Sequence, residues 1–215
     1  MEYVHPESNY LFTHNWVGQL IEGYGIINSR EESQEIKLPR GEKRVIVEIG
    51  VYEGASSCWW LDNFMDHPDS RLVCVDPFIG AQERRVDPDE HKHLDKLNVV
   101  AKGNIAKSKH PGKATVIEDY SWSAYERVKE ALGINKEKEE RKIDILYIDG
   151  EHTTRAVFRD LALYAPLISP GGVVIVDDYN DEAVAKAAYM YLSANTDMFP
   201  RNYCTGGQLW TRAAE

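Results

Sequence analysis

The segment of the sequence that is richest in potential chemistry is DILYIDGEH, residues 144–152. A short apolar run from Ile145 to Ile148 ends in Asp149, and a glycine and His152 follow within three residues. A carboxylate and an imidazole at this spacing could bind a cation or move a proton. An Asp directly after a strand is more often a turn residue or a helix cap, so its interpretation depends on what the rest of the chain places beside it.

Other apolar segments of the chain also end in acids. Ligands of open α/β sheets bind outside the carboxyl ends of the strands, so these acids would converge on one rim: Glu48, Asp76, Asp119, Asp149, Asp177 and Asp178. Several carboxylates in one dry cleft repel one another unless a cation compensates them. The pattern therefore predicts either a cationic substrate or cofactor, or a divalent metal held by oxygen ligands.

A glycine turn follows the first apolar segment, in VEIGVYEGASS. Gly50 and Gly54 allow a tight turn and the close approach of a ligand, and a helix beginning after them offers free N–H groups. The glycines are four apart, unlike those of the dinucleotide fingerprint. Asp76 lies 22 residues past Gly54, near the roughly 20-residue spacing at which an acid receives a ribose hydroxyl pair. Phe78 would cover an adenine face or belong to the core, and the sequence leaves both open.

Alternating strands and helices predict an α/β fold with a doubly wound, parallel sheet. Five short runs are apolar on successive residues, as in strands covered on both faces; they are residues 44–50, 71–76, 114–119, 144–149 and 172–178. Helical patterns lie between them, at residues 55–65, 121–132 and 153–165. The end of the chain differs, because the runs around Gly206-Gly207 predict an antiparallel hairpin over residues 198–213.

Three regions fall outside this alternation, and they predict a helix, a polar excursion loop and a charged surface turn at residues 9–23, 80–95 and 134–142 respectively. The sequence contains no internal repeat and no linker long enough to separate domains. We therefore expect a single domain over residues 1–215, with an N-terminal helical cap at residues 1–40 and a core at residues 44–212.

The charge balance narrows the class of partner. The 215 residues include 25 basic and 35 acidic side chains, a formal net charge of −10. This excess of acid disfavours nucleic acids and anionic membranes and favours a small-molecule partner. The sequence shows neither a secretory leader nor an apolar run of about 18 residues. Its three cysteines have no CxxC spacing, so we expect a cytoplasmic, reducing location.

Together, the segment 48–54, Asp76 and the segment 149–179 resemble class I S-adenosylmethionine-dependent methyltransferases. The closest resemblance is to metal-dependent small-molecule O-methyltransferases, the catechol and macrocin O-methyltransferase-like group, and it covers about residues 44–212. It implies a Rossmann-like, mostly parallel seven-stranded sheet with S-adenosyl-L-methionine and a divalent cation such as Mg²⁺ as cofactors. It also implies a small hydroxyl acceptor, either a phenol or catechol or a sugar-containing metabolite, and a homodimer as one state open to the chain.

The resemblance carries over residue by residue at the cofactor positions. Three residues match the turn around the methionine moiety: Glu48, Gly50 and Gly54. Tyr52 and Ser56 match positions that contact the amino acid end of the cofactor, and Asp76 matches the acid that holds the ribose. Ser121 falls where a serine approaches the adenine, with Asp119 beside it.

The resemblance also implies a metal site and a base. Asp149, Asp177 and Asp178 fall on the three metal-ligand positions, of which the third is often Asn in the family. Asp149 borders the cofactor as well, and Gly150 leaves space for it. His152 falls where a general base sits, although the catechol enzymes place a lysine there. In the implied mechanism the cation binds a hydroxyl pair and lowers the acceptor's pKa, and His152 accepts the proton.

For several other side chains the sequence allows two different roles. His152 would be the base or would cap the helix predicted at residue 153, and His91 and His93 would be surface residues or part of a lid. The pair Trp59-Trp60 indicates helix packing more than a substrate wall. An N-terminal helix often covers the active site in the family, so three residues there would touch the acceptor: His14, Asn15 and Trp16.

Two other functions fit the same residues. The chain could bind the cofactor or a nucleotide without turnover, as a regulatory or accessory protein. It could also keep the fold and the metal but change the chemistry, because the cephalosporin hydroxylase-like group resembles this pattern too. Methyl transfer from labelled cofactor to catechols and sugars separates these functions from the methyltransferase.

Overall fold

The computed structural model describes residues 10–13, 15, 17–30, 36–80, 94–134 and 141–215. Within these residues the chain forms seven strands: β1 (Val45–Ile49), β2 (Arg71–Asp76), β3 (Ala114–Glu118), β4 (Ile143–Ile148), β5 (Ile168–Val176), β6 (Arg201–Cys204) and β7 (Leu209–Arg212). They form one sheet in the order β3-β2-β1-β4-β5-β7-β6. Strands β1 to β5 are parallel, and β7 pairs antiparallel with both β5 and β6. The predicted α/β class, the mostly parallel sheet and the terminal hairpin are confirmed.

Six α-helices accompany the sheet in the described part of the chain: α1 (Gly18–Ser29), α2 (Ala55–Phe64), α3 (Leu97–Ile105), α4 (Ser121–Ala131), α5 (Thr154–Tyr164) and α6 (Glu182–Ser193). Helices α1 to α3 bury apolar residues in the core on one face of the sheet, and α4 to α6 do so on the other. Strand β1 is buried at all five positions, because helices cover it on both sides. Trp59 and Trp60 lie in the first of these cores at 0% exposure, which confirms that they pack the helix.

The N-terminal helix was expected at residues 9–23 but begins at Gly18. Residues before it are held by side chains from elsewhere, which take the backbone groups that a helix would use internally. Asn104 accepts from the N–H of Leu11 at 2.8 Å and donates to its carbonyl at 3.0 Å. Glu53 accepts from the N–H of Thr13 at 2.8 Å. These partners are 40 and 93 residues away in sequence, so local patterns did not reveal them.

Two helices were absent from the sequence prediction. Helix α6 has a recognisable start, because Asp181 accepts hydrogen bonds from the N–H groups of Ala183 and Val184 at 2.7 and 3.2 Å, as an N-cap does. Helix α3 follows the polar region at 80–95 and has no side-chain cap. Strand β5 begins at Ile168, four residues before the predicted start at residue 172, and continues through Pro170.

Some predictions fall on residues outside the described part of the chain. These are His14, Trp16, His91 and His93, residues 81–93 of the excursion loop, and residues 135–140 of the charged turn. The single-domain organisation stays a prediction. None of the helices in the described residues combines the length and the apolar character needed to cross a membrane.

Candidate active site

A cavity of about 550 Å³ opens at the carboxyl ends of the central strands. Its wall includes the residues that follow β1, β2, β4 and β5, the first residues of α4 and one side of α5. Helix α1 and the segment before it contribute Gln19 and Asn15. Seven of the predicted functional residues reach the cavity in addition to His152; they are Gly50, Tyr52, Ser56, Asp76, Ser121, Asp149 and Asp178. Asp177 lines it as well, beneath Asp178.

The turn after β1 brings the ends of β1 and β4 together. Gly50 and Gly54 have φ angles of 91° and 82°, and Tyr52 between them has a φ of 49°, all in the left-handed region that favours glycine. A Cβ on Gly50 would overlap the backbone carbonyl of Asp149. Glycine at this position therefore allows the two loops to touch, and this contact places the turn and Asp149 in one wall.

Asp76 ends β2 and fastens this turn through backbone hydrogen bonds. One carboxylate oxygen accepts from the N–H groups of Val51 at 2.7 Å and Tyr52 at 2.9 Å, and the other accepts from the N–H of Phe78 at 2.5 Å. Burial raises the pKa of Asp76, while these three hydrogen bonds act to lower it. The carboxylate shapes the turn and also borders the cavity, so its predicted contact with a ribose remains a prediction.

Three of the predicted cofactor residues lie behind the cavity wall. Glu48 is fully buried, accepts hydrogen bonds from Ser57 Oγ and from Cys74 Sγ at 3.3 Å, and has its pKa raised to about 7 by burial. Gly54 turns the chain into α2. Phe78 is 6% exposed within the core, with Lys102 Nζ 5.9 Å from its ring centre, so its position is that of a core residue.

At the other end of the cavity, two carboxylates and an imidazole converge. His152 Nε2 lies 3.2 Å from Asp178 Oδ2 and 4.0 Å from Asp149 Oδ1. One ligand atom from each residue lies within 4.8 Å of the others. The side chains are 27–31% exposed, so a ligand can reach them. Burial, and then the charges of Asp177 and Asp178, raise the pKa of Asp149 well above its usual range.

Asp177 is held differently from its two predicted partners. It is 6% exposed, and Tyr147 Oη donates to its Oδ2 while also lying 3.2 Å from Asp149 Oδ2. Gln208 Nε2 donates to Asp177 Oδ1 at 3.1 Å, and Trp210 Nε1 donates to Gln208 at 3.0 Å. The structure thus groups His152, and not Asp177, with the two accessible acids. Tyr147 and Gln208 were missed by sequence reasoning, although a hydroxyl inside the apolar run 145–148 was a usable signal.

The two accessible carboxylates of this cluster fit a divalent cation. Asp149 and Asp178 offer the hard oxygen atoms that Mg²⁺ prefers. Asp177 and Tyr147 stand behind them, as outer groups do when they orient the ligands of a metal. Gln19 Nε2 lies 3.4 Å from Asp178 Oδ1. The donor set is therefore suited to a cation, with Asp149 and Asp178 as the accessible oxygen ligands.

The start of α4 forms the far end of the cavity. Ser121 Oγ donates to Asp160 at 2.5 Å, and the carbonyl of Ser121 accepts from Tyr164 Oη at 2.6 Å. Asp119 lies outside the cavity wall, because its carboxylate accepts from the N–H of Tyr120 at 2.8 Å and from Ser123 Oγ at 3.1 Å. Its predicted role beside the adenine therefore has less structural support than that of Ser121.

His152 does not cap the helix that follows it. Helix α5 begins at Thr154, and its N-cap is Thr153, whose Oγ1 accepts from the N–H of Ala156 at 3.3 Å. The imidazole instead faces Asp178 in the cavity. This position puts the imidazole next to whatever the cavity binds.

Comparison with known proteins identifies the family to which the chain belongs. Residues 47–179 match the profile of a methyltransferase domain family. A protein of Acanthamoeba polyphaga mimivirus, the uncharacterized protein R132, is 30% identical over 136 residues, which are 63% of this chain and 51% of that protein. The chain spans about half the length of this curated relative.

Solved structures share the fold at low sequence identity. The O-methyltransferase from Bacillus cereus, in complex with S-adenosylhomocysteine, has a TM-score of 0.54 and 20% identity and covers 80% of this chain and 74% of its own. MycE methyltransferase from the mycinamycin biosynthetic pathway, in complex with Mg and S-adenosylhomocysteine, has a TM-score of 0.51 and 15% identity and covers 82% and 46%. The chain belongs to the methyltransferase domain family, as its motifs imply, and it has the Rossmann-like fold of the class I enzymes.

Proposed function

We propose that the protein is an S-adenosylmethionine-dependent O-methyltransferase that uses a divalent cation to methylate a hydroxyl of a small molecule. One observation carries the proposal: a single cavity joins the glycine turn and Asp76 at one side to Asp149, His152 and Asp178 at the other. B. cereus O-methyltransferase and MycE bind S-adenosylhomocysteine on this fold, and MycE also binds Mg. Their ligands support the cofactor and the cation proposed for this chain.

When bound, the cofactor supplies an activated methyl group on a sulfonium, and the cation lowers the pKa of the acceptor hydroxyl. The chain's own residues supply alignment and proton transfer. The turn from Gly50 to Gly54 and Ser56 hold the amino acid end of the cofactor, and Asp76 holds the ribose. Asp149 and Asp178 hold the cation near the acceptor.

His152 accepts the acceptor's proton in this proposal. Its Nε2 faces Asp178 at 3.2 Å, and this carboxylate can stabilise the imidazolium formed by proton transfer. Asn15 and Gln19 line the same end of the cavity and would contact the acceptor. A phenol, a catechol or a sugar-containing metabolite is the proposed acceptor class. The cytoplasmic location, the homodimer and the absence of nucleic acid or membrane partners stay predictions.

Transfer of labelled methyl from S-adenosylmethionine to a panel of catechols and sugars, with and without Mg²⁺, tests this function. We expect a labelled ether product that depends on the cation. Binding of S-adenosylhomocysteine with no transfer to any acceptor would favour an accessory protein instead. Oxidation of an acceptor in place of methyl transfer would favour the hydroxylase-like chemistry. If the protein does not bind S-adenosylhomocysteine, the proposed function is wrong.

A further inference from the structure

Asp160 is a buried acid in the cavity wall with one oxygen left for a ligand. The residue is 3% exposed and lines the cavity. Its Oδ1 accepts from Ser121 Oγ at 2.5 Å, and within the residues that the structure describes its Oδ2 accepts no hydrogen bond. Because Asp160 lines the cavity, an N–H donor from a bound molecule could reach Oδ2 and form a charge-assisted hydrogen bond with it.

The position of Asp160 relative to the strands indicates which part of a ligand it faces. From β5 to β3 the cavity presents the Asp149–Asp178 cluster, the glycine turn after β1, Asp76 after β2, and then Ser121 after β3. Asp160 pairs with Ser121 at the β3 end of this series through its Oδ1, while its Oδ2 faces Gly150. A cofactor whose methionine lies on the glycine turn and whose ribose lies on Asp76 would extend its base to this end.

The surroundings of Asp160 suit a flat, nitrogen-rich ring. Tyr120 and Trp122 line the cavity, are 45% and 51% exposed, and stack with ring centres 5.8 Å apart at 21°. The Arg159 guanidinium lies 5.5 Å from the centre of the Trp122 ring. Gly150 has no side chain here, and a Cβ on it would lie 3.9 Å from Asp160 Oδ2. Exposed aromatic faces of this kind favour stacking with a base.

We infer that Asp160 Oδ2 accepts a hydrogen bond from the exocyclic amino group of the cofactor's adenine, so that Asp160 selects an adenosyl over an inosyl ligand. The inference rests on the proposed cofactor. Asp119 is unsuited to this task, because its carboxylate points away from the cavity wall to Ser123 and Arg127. Asp160, from a different helix, supplies the acid at the adenine end instead.

Calorimetry with two ligands at pH 8 tests this inference. Burial raises the pKa of Asp160 to about 6, so its carboxylate is ionised at pH 8. The ligands are S-adenosyl-L-homocysteine and S-inosyl-L-homocysteine, which differ in having an amino group or a carbonyl oxygen at position 6 of the base. We expect wild type to bind the adenosyl ligand roughly tenfold to hundredfold more tightly, since a charge-assisted hydrogen bond is lost in the inosyl complex.

Asp160→Asn gives the sharper result, because the amide can still accept from Ser121 while its NH₂ group donates toward the base. We expect the preference to fall to within about threefold or to reverse in favour of the inosyl ligand, since an amide donor matches a carbonyl acceptor. Glu126→Gln is the matched control: it removes one negative charge from α4 at an exposed position beside Lys129. Its ligand preference should equal that of wild type.

An unchanged preference in Asp160→Asn with intact adenosyl binding would overturn the inference and leave the proposed function standing. Equal binding of the two ligands by wild type would overturn it as well, and this measurement does not depend on the folding of any variant. If wild type binds neither ligand, the proposed cofactor site fails and the role of Asp160 fails with it.

Discussion

Asp76 and Asp149 both follow central strands and both border the cavity, yet their carboxylates have different surroundings. Asp76 accepts hydrogen bonds from two backbone N–H groups of the turn it fastens and from the N–H of Phe78. Asp149 has the Tyr147 hydroxyl at 3.2 Å and the His152 imidazole at 4.0 Å, and it shares its site with two further acids. Backbone hydrogen bonds offset part of the cost of burying the charge of Asp76, whereas the charges of Asp149 and Asp178 call for a cation from outside.

This difference separates two tasks in one cavity. The cofactor end is built from a backbone turn that hydrogen bonds to Asp76 hold in place, which lowers the cost of ordering on binding. The acceptor end is built from side chains with some exposure, supported by Tyr147, Asp177 and Gln208. We expect the first end to work without a cation and the second to depend on one.

The largest expected effect comes from disrupting the contact between the Gly50 turn and the backbone of Asp149, which connects the two ends of the cavity. Gly50→Ala would place a methyl group against the carbonyl of Asp149 at a φ of 91°. We expect the free energy of unfolding to fall by roughly 2–6 kcal/mol, because overlap and strain each cost about 1–3 kcal/mol. Urea unfolding measures this change.

Gly41→Ala is the control for backbone strain. Gly41 has a φ of 82°, and a Cβ added to it would meet no other atom within 4 Å. We expect only about 1–2 kcal/mol of destabilisation there, from the left-handed conformation alone. Equal effects at Gly41 and Gly50 would contradict the tight joint between the loops.

The buried carboxyl group of Glu48, behind the wall of the cofactor end, should make the stability of the protein depend on pH. Its pKa is raised from 4.5 to about 7 by burial, so the folded state binds a proton that the unfolded state has released. The stability that this proton provides is present below pH 4.5 and is lost as the pH rises through about 7. The loss would be on the order of 3 kcal/mol.

Glu48→Gln should reduce that slope by the share that Glu48 contributes, because the amide does not titrate. Urea unfolding between pH 4.5 and 8 measures it, with Glu42→Gln at an exposed position as the control that should retain the slope. A wild-type stability that rises steadily across this range, with Glu48→Gln unchanged from wild type, would show that Glu48 is ionised in the folded protein.

At the acceptor end, His152 is the residue whose loss should affect turnover most specifically. His152→Ala and His152→Asn should both slow methyl transfer by roughly 10²-fold, since general base catalysis contributes at least that factor. Binding of S-adenosylhomocysteine should be unchanged in both, because the imidazole faces the acceptor end. A normal rate in both variants would leave the cation as the sole activator of the hydroxyl.

Tyr147→Phe should give the smallest effect, because it removes a supporting hydroxyl and no ligand. Asp177 would lose its donor and Asp149 a neighbouring hydroxyl, and we expect cation affinity to fall about tenfold to hundredfold, as for other outer groups of metal sites. Calorimetric titration with Mn²⁺ or Mg²⁺ measures it. Tyr24→Phe removes a hydroxyl that donates to the carbonyl of Leu38. Neither residue lines the cavity, so this variant should leave cation affinity at the wild-type value.

The fold followed from the sequence wherever the signal was local. Apolar runs such as 44–50 identify strands, and Gly206-Gly207 identifies the hairpin, because both depend on residues close together in the chain. The start of α1 could not be predicted from local patterns. Glu53 and Asn104 hold the residues before it, and they lie 40 and 93 positions away in the sequence. The exclusion of Asp177 from the accessible cluster is also non-local, since it depends on Gln208 of the hairpin.

The position of Asp160 in the site also could not be predicted from local sequence patterns. Its position on α5 was visible in the sequence only as one polar residue of a helix, while Asp119 lay beside the expected serine. Which acid enters the cavity depends on how α4 and α5 pack, and their pairing through Ser121 and Asp160 is visible only in three dimensions.

The measurement that tests the account most directly compares cofactor binding and methyl transfer in the same chelator-treated protein. We predict that S-adenosylhomocysteine binds with little change in affinity after chelation, because the glycine turn and Asp76 need no cation. Methyl transfer should vanish and return on addition of Mg²⁺, because Asp149 and Asp178 need one. Full methyl transfer in the chelated protein would contradict the division of the cavity into a self-sufficient end and a cation-dependent end.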